Sequence, residues 1–155
     1  MKRTATAVWK GNLREGTGTL DTQSGALNAH PYSFKARFED ENGKSGTNPE
    51  ELLAAAHAGC FTMQLSHLLA EAGHPAEQLK TTAAVSVEPK DGGGFEITRS
   101  ALSLEAKVPG IEPDIFEAIA GKAKAGCPVS VALGGVEITQ TTRAHADELI
   151  SRASK

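Results

Sequence analysis

Residues 48–73, NPEELLAAAHAGCFTMQLSHLLAEAG, constrain the fold of this chain more than any other stretch. Asn48 can accept an N-cap hydrogen bond, Pro49 suits the first helical position, Glu51 lies where a capping-box acid belongs, and Gly73 can close a helix in a left-handed C-cap. These signals predict a long central helix over about residues 49–72. Its apolar residues, among them Leu52, Leu53, Phe61, Met63, Leu65, Leu68 and Leu69 with several alanines, cover most of the circumference rather than one stripe. A helix apolar nearly all round is expected to be buried on several sides. Its middle carries Cys60, one of two cysteines in the chain.

A length of 155 residues with 39% hydrophobic content suits one globular domain with a proper core, residues 1–155, ending in a polar tail from about residue 144. A net charge of -3 gives no reason to expect nucleic acid as a partner. The N-terminus, MKRTATAVWKG, alternates and lacks the unbroken apolar run of a signal peptide. His57, Gln64, His67 and Glu71 interrupt the apolar helix, so no membrane span is expected and a cytoplasmic protein is. In a reducing compartment two cysteines point to reactive or metal-binding thiols rather than a structural disulfide, with inert core thiols as the plain alternative.

Before the helix, Thr4–Trp9, Gly16–Asp21 and Pro31–Glu39 alternate and are expected to form a meander of strands. In the third, Tyr32, Phe34, Ala36 and Phe38 would share one face, and Ser33, Lys35, Arg37 and Glu39 the other. Asp40–Thr47 reads as a loop feeding the helix. After Gly73, Thr81–Glu88 and Phe95–Val108 are β-rich and joined by a turn at Asp91–Gly94. Pro113–Ala125 predicts a second helix with Ile115, Phe116, Ile119 and Ala123 inward, Gly126 ends it, and Cys127–Pro128 follows before a last strand over Val136–Thr142. The class expected is α+β, antiparallel sheets packed around the central helix and the second helix.

Only the thiolate of a cysteine is reactive, and a mid-helix cysteine gains little from the helix dipole. A reactive Cys60 therefore needs a cation from elsewhere. Arg37 is best placed by chain order, with Arg3, Arg14 and Arg99 as competitors. Glu50 or Glu51 could hold such an arginine. Ten residues of helix separate Glu50 from Cys60, about 15 Å along the axis and roughly 80° short of three turns, so the two cannot meet within one helix. Either an arginine bridges them or Glu50 comes from a second subunit. His57, three residues before Cys60, shares its face and is read as packing before chemistry; with Cys60 it would be the start of a metal site, although the chain has no Cys-x-x-Cys or His-Glu-x-x-His pattern.

Three runs carry a family resemblance: Gly46-Thr47-Asn48-Pro49-Glu50-Glu51-Leu52, Ala55-Ala56-His57-Ala58-Gly59-Cys60-Phe61 and Lys122-Ala123-Lys124-Ala125-Gly126-Cys127-Pro128-Val129-Ser130. The chain resembles the OsmC/Ohr family of osmotically inducible and organic hydroperoxide resistance proteins, the OsmC branch more than the Ohr branch. It departs from the family pattern in the Asp40–Ser45 segment, which looks longer than in OsmC relatives. The resemblance implies a thiol-dependent peroxidase without metal or cofactor, built as an intertwined homodimer with its sites at the subunit interface. It casts Cys60 as the thiol that attacks the peroxide and becomes a sulfenic acid, and Cys127 as the one that condenses with it to a disulfide. A reducing dithiol or dithiol protein then restores the pair. Arg37 takes the part of the arginine that stabilises the thiolate and polarises the peroxide, and Glu50 that of the acid orienting it. The expected substrate is an organic hydroperoxide, with hydrogen peroxide reduced less well. A non-enzymatic protein with a passive redox latch, and a metal-binding regulator using His57 and Cys60, are the readings from other classes.

Overall fold

The computed structural model of the chain describes residues 1–144, which divide into two compact units, Met1–Leu52 and the residues from Leu53 onward. The expected polar tail beyond residue 144 lies outside the described residues.

In the first unit, β1 (Ala5–Lys10), β2 (Thr17–Thr22) and β3 (His30–Tyr32) form an antiparallel sheet in that order. The register sets Trp9 opposite Gly18 and Gly18 opposite Tyr32. With no side chain at Gly18, the Trp9 and Tyr32 rings meet above it at a centroid distance of 5.4 Å; a Cβ there would run into both rings.

The expected strand Pro31–Glu39 is a strand only at its start. Phe34–Phe38 is a short helix, α1, because Ser33 turns extended and its hydroxyl accepts the Ala36 N–H at 3.1 Å. Phe34 and Phe38, drawn as strand neighbours on one face, are instead one helical turn apart with rings 5.1 Å between centroids. Five residues alternating in polarity fit a strand or a turn of helix equally, and the cap decides. Arg37 is thus a helical rather than a strand residue.

The loop that follows is organised by Asp40, whose carboxylate accepts N–H groups of Asn42 (3.1 Å), Lys44 (2.7 Å) and Ser45 (2.7 Å), with Gly43 left-handed at φ +63°.

The long helix α2 runs Pro49–Glu71, beginning in the first unit and continuing into the second. Its N-cap is as expected, Asn48 Oδ1 accepting the Glu51 N–H at 2.8 Å. The Glu51 side chain does not complete a capping box; it accepts the hydroxyl of buried Thr47 at 2.7 Å. At the other end Gly73 is left-handed (φ +81°), with Gly73 N–H on Ala70 O and His74 N–H on Leu69 O, a Schellman motif.

In the second unit β4 (Gln78–Pro89) and β5 (Phe95–Lys107) form an antiparallel hairpin. The chain then crosses through α3 (Pro113–Gly126) and α4 (Pro128–Ala132) to β6 (Glu137–Ala144). β6 lies parallel to β5, not antiparallel as expected, because a helical crossover returns the chain to the end from which β5 began.

The core of this unit joins Phe61, Leu65 and Leu69 of α2, Leu102, Leu104 and Ala106 of β5, and Phe116, Ile119, Ala120 and Ala123 of α3. Each large side chain so buried contributes about 1.5–3 kcal/mol. Ile115, expected inward, is 47% exposed: the stripe centred on Phe116, Ala120 and Ala123 leaves it at the edge.

Nor is α2 buried all round within this chain. In the second unit its fully buried residues fall on one line at spacing four, His57, Phe61, Leu65 and Leu69, while Ala55, Ala56, Gly59 and Met63 (77% exposed) are uncovered. Among the described residues, the elements of the second unit pack against a single side of it. Its polar residues also interrupt it less than expected, since by length and composition α2 is apolar enough to cross a membrane, a test that core helices of soluble proteins pass as well. Its buried line is occupied by the core just described.

Hydrogen bonds from Ser45 first, and from Lys44 and Asn42, hold the Asp40 carboxyl at about 2, below its ordinary 3.8. A depressed folded value means that the loop's stabilisation is present above the ordinary carboxylate value and lost as the pH falls through the folded one. The amide resonances of Lys44 and Ser45 are therefore expected to titrate together with a midpoint at about 2, and Asp40→Asn to abolish that transition. A midpoint at the ordinary 3.8 would contradict the arrangement.

Candidate active site

Two pairs of side chains gather the residues singled out in the sequence, one in each unit. In the second, Pro128 keeps the preceding residue extended, so Cys127 (φ -62°, ψ 128°) ends α3 and begins α4, its N–H on Ala123 O at 3.0 Å and its C=O accepting Val131 N–H at 3.1 Å. This turn aims the side chain at α2. Cys127 Sγ donates to Cys60 Sγ at 3.0 Å, both thiols free, Cys127 fully buried and Cys60 partly exposed.

Two thiols this close do not readily both ionise, so they separate in acidity. Burial works to raise Cys127, but a hydrogen bond from Cys60, followed by the N–H and hydroxyl of Ser130 and the N–H of Val129, outweighs it and holds Cys127 below the ordinary thiol value. Cys60 is pushed up, by burial first and then by the hydrogen bond with Cys127 and the negative charge beside it, with Val129 N–H acting the other way. As neutral thiols Cys127 donates to Cys60; on ionisation the donation reverses. No cation contributes to either shift.

His57 has no solvent exposure and bridges two buried serines, Nδ1 to Ser100 Oγ at 2.6 Å and Nε2 to Ser130 Oγ at 2.8 Å. Burial pushes it below its ordinary 6.5, toward the neutral form. Reading His57 as packing missed this bridge. Two signals point to it: a histidine on a buried line of α2, which must find partners, and Ser100, a hydroxyl on the β5 face otherwise given by Leu102, Leu104 and Ala106. Both ring nitrogens face serines, and among the described residues no three His, Cys, Asp or Glu side chains cluster as metal ligands. His67, in line with Cys60 in sequence, pairs with Glu71 on the surface at 3.4 Å.

The first unit holds the ion pair. Arg37 donates Nε to both carboxylate oxygens of Glu50 at 3.2 Å and Nη2 to Oε1 at 2.5 Å, and its guanidinium lies 4.8 Å from the centroid of the Phe38 ring. Glu50 is buried, and it is Glu50, not Glu51, that meets the arginine. Nη1 of Arg37 has no hydrogen-bond partner among the described residues. The competing arginines are engaged elsewhere: Arg14 lies over Phe34, Arg99 pairs with Glu137, and Arg3 donates to the Lys2 carbonyl. Beside Arg37 opens a cavity of about 450 Å³ walled by Trp9, Leu13, Tyr32, Phe34 and Phe38.

Comparison with known proteins bears on this geometry. The family model described as OsmC, OsmC-like protein, matches residues 41–141, a span that includes Glu50, His57, Cys60, Ser100, Cys127 and Ser130 and omits Arg37. Peroxiredoxin OsmC of Escherichia coli (strain K12) is 53% identical over 127 residues, 82% of this chain and 86% of that protein. An organic hydroperoxide resistance protein of Xanthomonas axonopodis pv. citri (strain 306) is 33% identical over 105 residues, 64% of this chain and 68% of the relative. Among solved structures, the organic hydroperoxide resistance protein OhrB of Bacillus subtilis matches with a TM-score of 0.69 at 26% identity, covering 90% of this chain and 98% of the other.

The depressed value of His57 has a consequence for stability. Unfolded, the side chain takes up a proton as the pH falls through about 6.5; folded, it does so only at lower pH, so its contribution is full above 6.5 and declines below it. The urea midpoint is expected to fall between about pH 7 and pH 5, less steeply in His57→Gln, whose side chain does not titrate. Equal slopes for the two proteins would contradict a neutral buried imidazole.

Proposed function

The chain belongs to the OsmC-like protein family, and from that premise we propose that it is a thiol-dependent peroxidase that reduces organic hydroperoxides, and hydrogen peroxide less well, in defence against oxidative and osmotic stress. The observation that carries the reading is the contact of two free thiols at 3.0 Å, one reachable from solvent and one buried.

Cys60, the exposed member, is the one a peroxide can reach. Its thiolate attacks a peroxide oxygen: the S–O bond forms, the O–O bond breaks, and the alkoxide leaves as alcohol after taking a proton, with Cys60 left as a sulfenic acid. Cys127 displaces the hydroxyl, giving water and a disulfide. A dithiol, free or on a protein, exchanges with that disulfide and restores both thiols.

The surroundings of the thiols within their unit do not favour a Cys60 thiolate, so the chemistry requires a cation. We assign that part to Arg37, held by Glu50 with Nη1 left to polarise the peroxide. The aromatic and aliphatic wall of the cavity beside Arg37 supports an organic rather than an inorganic hydroperoxide, the carbon chain against the rings and the polar end toward the guanidinium.

The uncovered apolar side of α2, with Ala55, Ala56, Gly59 and Met63, supports a homodimer whose sites lie at the subunit interface. The whole chain, residues 1–155, then acts as one domain in the cytoplasm, without metal or cofactor. A passive redox latch is not favoured, since the relatives include a peroxiredoxin at 53% identity.

The test is stopped-flow oxidation of the reduced protein by cumene hydroperoxide and, separately, by hydrogen peroxide. Fast oxidation should vanish in Cys60→Ser, halt at a sulfenic acid in Cys127→Ser, and slow by about 10²-fold or more in Arg37→Ala. Oxidation no faster than that of an ordinary thiol, equal in both single-cysteine variants, would refute the peroxidase.

A further inference from the structure

Among the described residues two titratable groups have no solvent exposure at all, Cys127 and His57, and Ser130 stands between them. Ser130 is three residues beyond Cys127, in the first turn of α4, and its hydroxyl favours the Cys127 thiolate while lying 2.8 Å from His57 Nε2. Beyond the imidazole, Ser100 Oγ lies 2.6 Å from Nδ1. The order is therefore Cys127, Ser130, His57, Ser100, buried throughout.

A neutral imidazole has one N–H and one lone pair, and each serine has one proton. Only two orderings satisfy all three groups. In the first, His57 Nδ1–H donates to Ser100 and Ser130 donates to Nε2, while the Cys127 S–H is directed at Cys60 Sγ. In the second, Ser100 donates to Nδ1, Nε2–H donates to Ser130, and the Ser130 hydroxyl points at the Cys127 sulfur, an arrangement suited to a thiolate. The direction of the Ser130 hydroxyl and the tautomer of His57 are therefore set together. The thiol must lose its proton to act, and being fully buried it has no direct route to solvent.

We propose that His57, acting through Ser130, takes the proton of Cys127 as Cys127 attacks the Cys60 sulfenic acid, and returns it to the departing hydroxide. The inference rests on the peroxidase reading and adds to it a proton path for its second step. Once Cys60 is oxidised, the Cys127 S–H turns from Cys60 to Ser130 Oγ, and its proton moves there as Ser130's own proton moves to His57 Nε2. The Cys127 sulfur then supplies the electron pair for the S–S bond, the S–O bond of Cys60 breaks, and hydroxide leaves; Cys127 is oxidised and Cys60 reduced. His57 Nε2 then gives a proton back to Ser130 Oγ as Ser130 passes its own to the departing hydroxide, which completes a water molecule, so no external reactant enters. Burial favours the neutral imidazole, which suits His57 to release the proton again. His57 and Ser130 are here positioning and proton-holding residues for Cys127, and the oxidation of Cys60 does not use them.

The test is single-turnover kinetics of the reduced full-length protein with cumene hydroperoxide, trapping the sulfenic acid with a dione and reading both it and the disulfide by mass spectrometry. His57→Gln keeps a donor and an acceptor near the two serines but cannot take up a proton. It is expected to leave Cys60 oxidation within about twofold of the parent and to slow condensation by about 10²-fold, so that sulfenic acid accumulates. Ser130→Ala, which removes one oxygen, should slow the same phase. Condensation at the parental rate in these variants, or equal slowing of both phases, would overturn the relay. Should His57→Gln fail to fold, Ser130→Ala decides by the same two outcomes. Slow oxidation of Cys60 in the parent protein would instead refute the peroxidase reading, and is visible before any variant is compared.

Discussion

The buried line of α2 against β5 and α3 is the constraint on which the second unit depends. His57, Phe61, Leu65 and Leu69 recur every four residues, and the opposing β5 face is given by Ser100, Leu102, Leu104 and Ala106 at every second residue. Three of the four positions on each side are apolar, and the fourth is polar: a histidine on the helix and a serine on the strand. An unpaired imidazole there would cost the burial of a polar group without a partner, commonly about 1–3 kcal/mol, so the hydrogen bond between them is a condition of this packing. The same packing holds Cys60, one residue ahead of Phe61, at the edge of the core, where it is partly exposed and within reach of Cys127.

The polarity of the thiol pair follows from where each sulfur is held. Cys127, at the joint of two helices, has backbone N–H groups and a hydroxyl nearby, and these favour its negative form despite burial. Cys60, in the middle of a helix whose own N–H groups are engaged, has only Val129 N–H on its side. The proposed use of Cys60 as the nucleophile thus requires positive charge brought to it; the first unit, taken by itself, contains an arginine pinned by a buried carboxylate, with Nη1 unpartnered among the described residues. The division of labour is physical: the helix supplies position, and the charge is a separate matter.

Much of this was legible in the sequence where a residue type has few conformational uses. Pro49, Asn48 and Gly73 each allow little besides a helix start or end, and α2 begins and ends within a residue or two of them. Gly126 and the Cys-Pro step placed the second cysteine at the end of α3 for the same reason, while the short helix α4 beyond it was only one of two options. What was not legible depended on partners distant in sequence. Alternation over Phe34–Phe38 suits a strand until one hydroxyl caps a helix turn. The direction of β6 depends on the crossover before it rather than on its own residues. Apolarity around α2 could not tell which side this chain covers. The His57 bridge joins residues 43 and 73 positions apart, beyond any local pattern.

The joint at Cys127 also ties the reaction to the topology of the chain. Cys60 lies on α2 and Cys127 in the crossover between β5 and β6, 67 residues further on, and most of the core-forming segments lie in the interval. A covalent bond between them closes that whole interval into a ring, which by chain entropy alone removes about 4 kcal/mol of freedom from the unfolded state. Oxidation would thus make the second unit harder to unravel at the moment when it cannot react, and reduction would return it to a looser thermodynamic footing along with its two thiols. On the proposed mechanism the catalytic cycle would also be a cycle of chain connectivity, open when the protein is ready and closed when it has just acted.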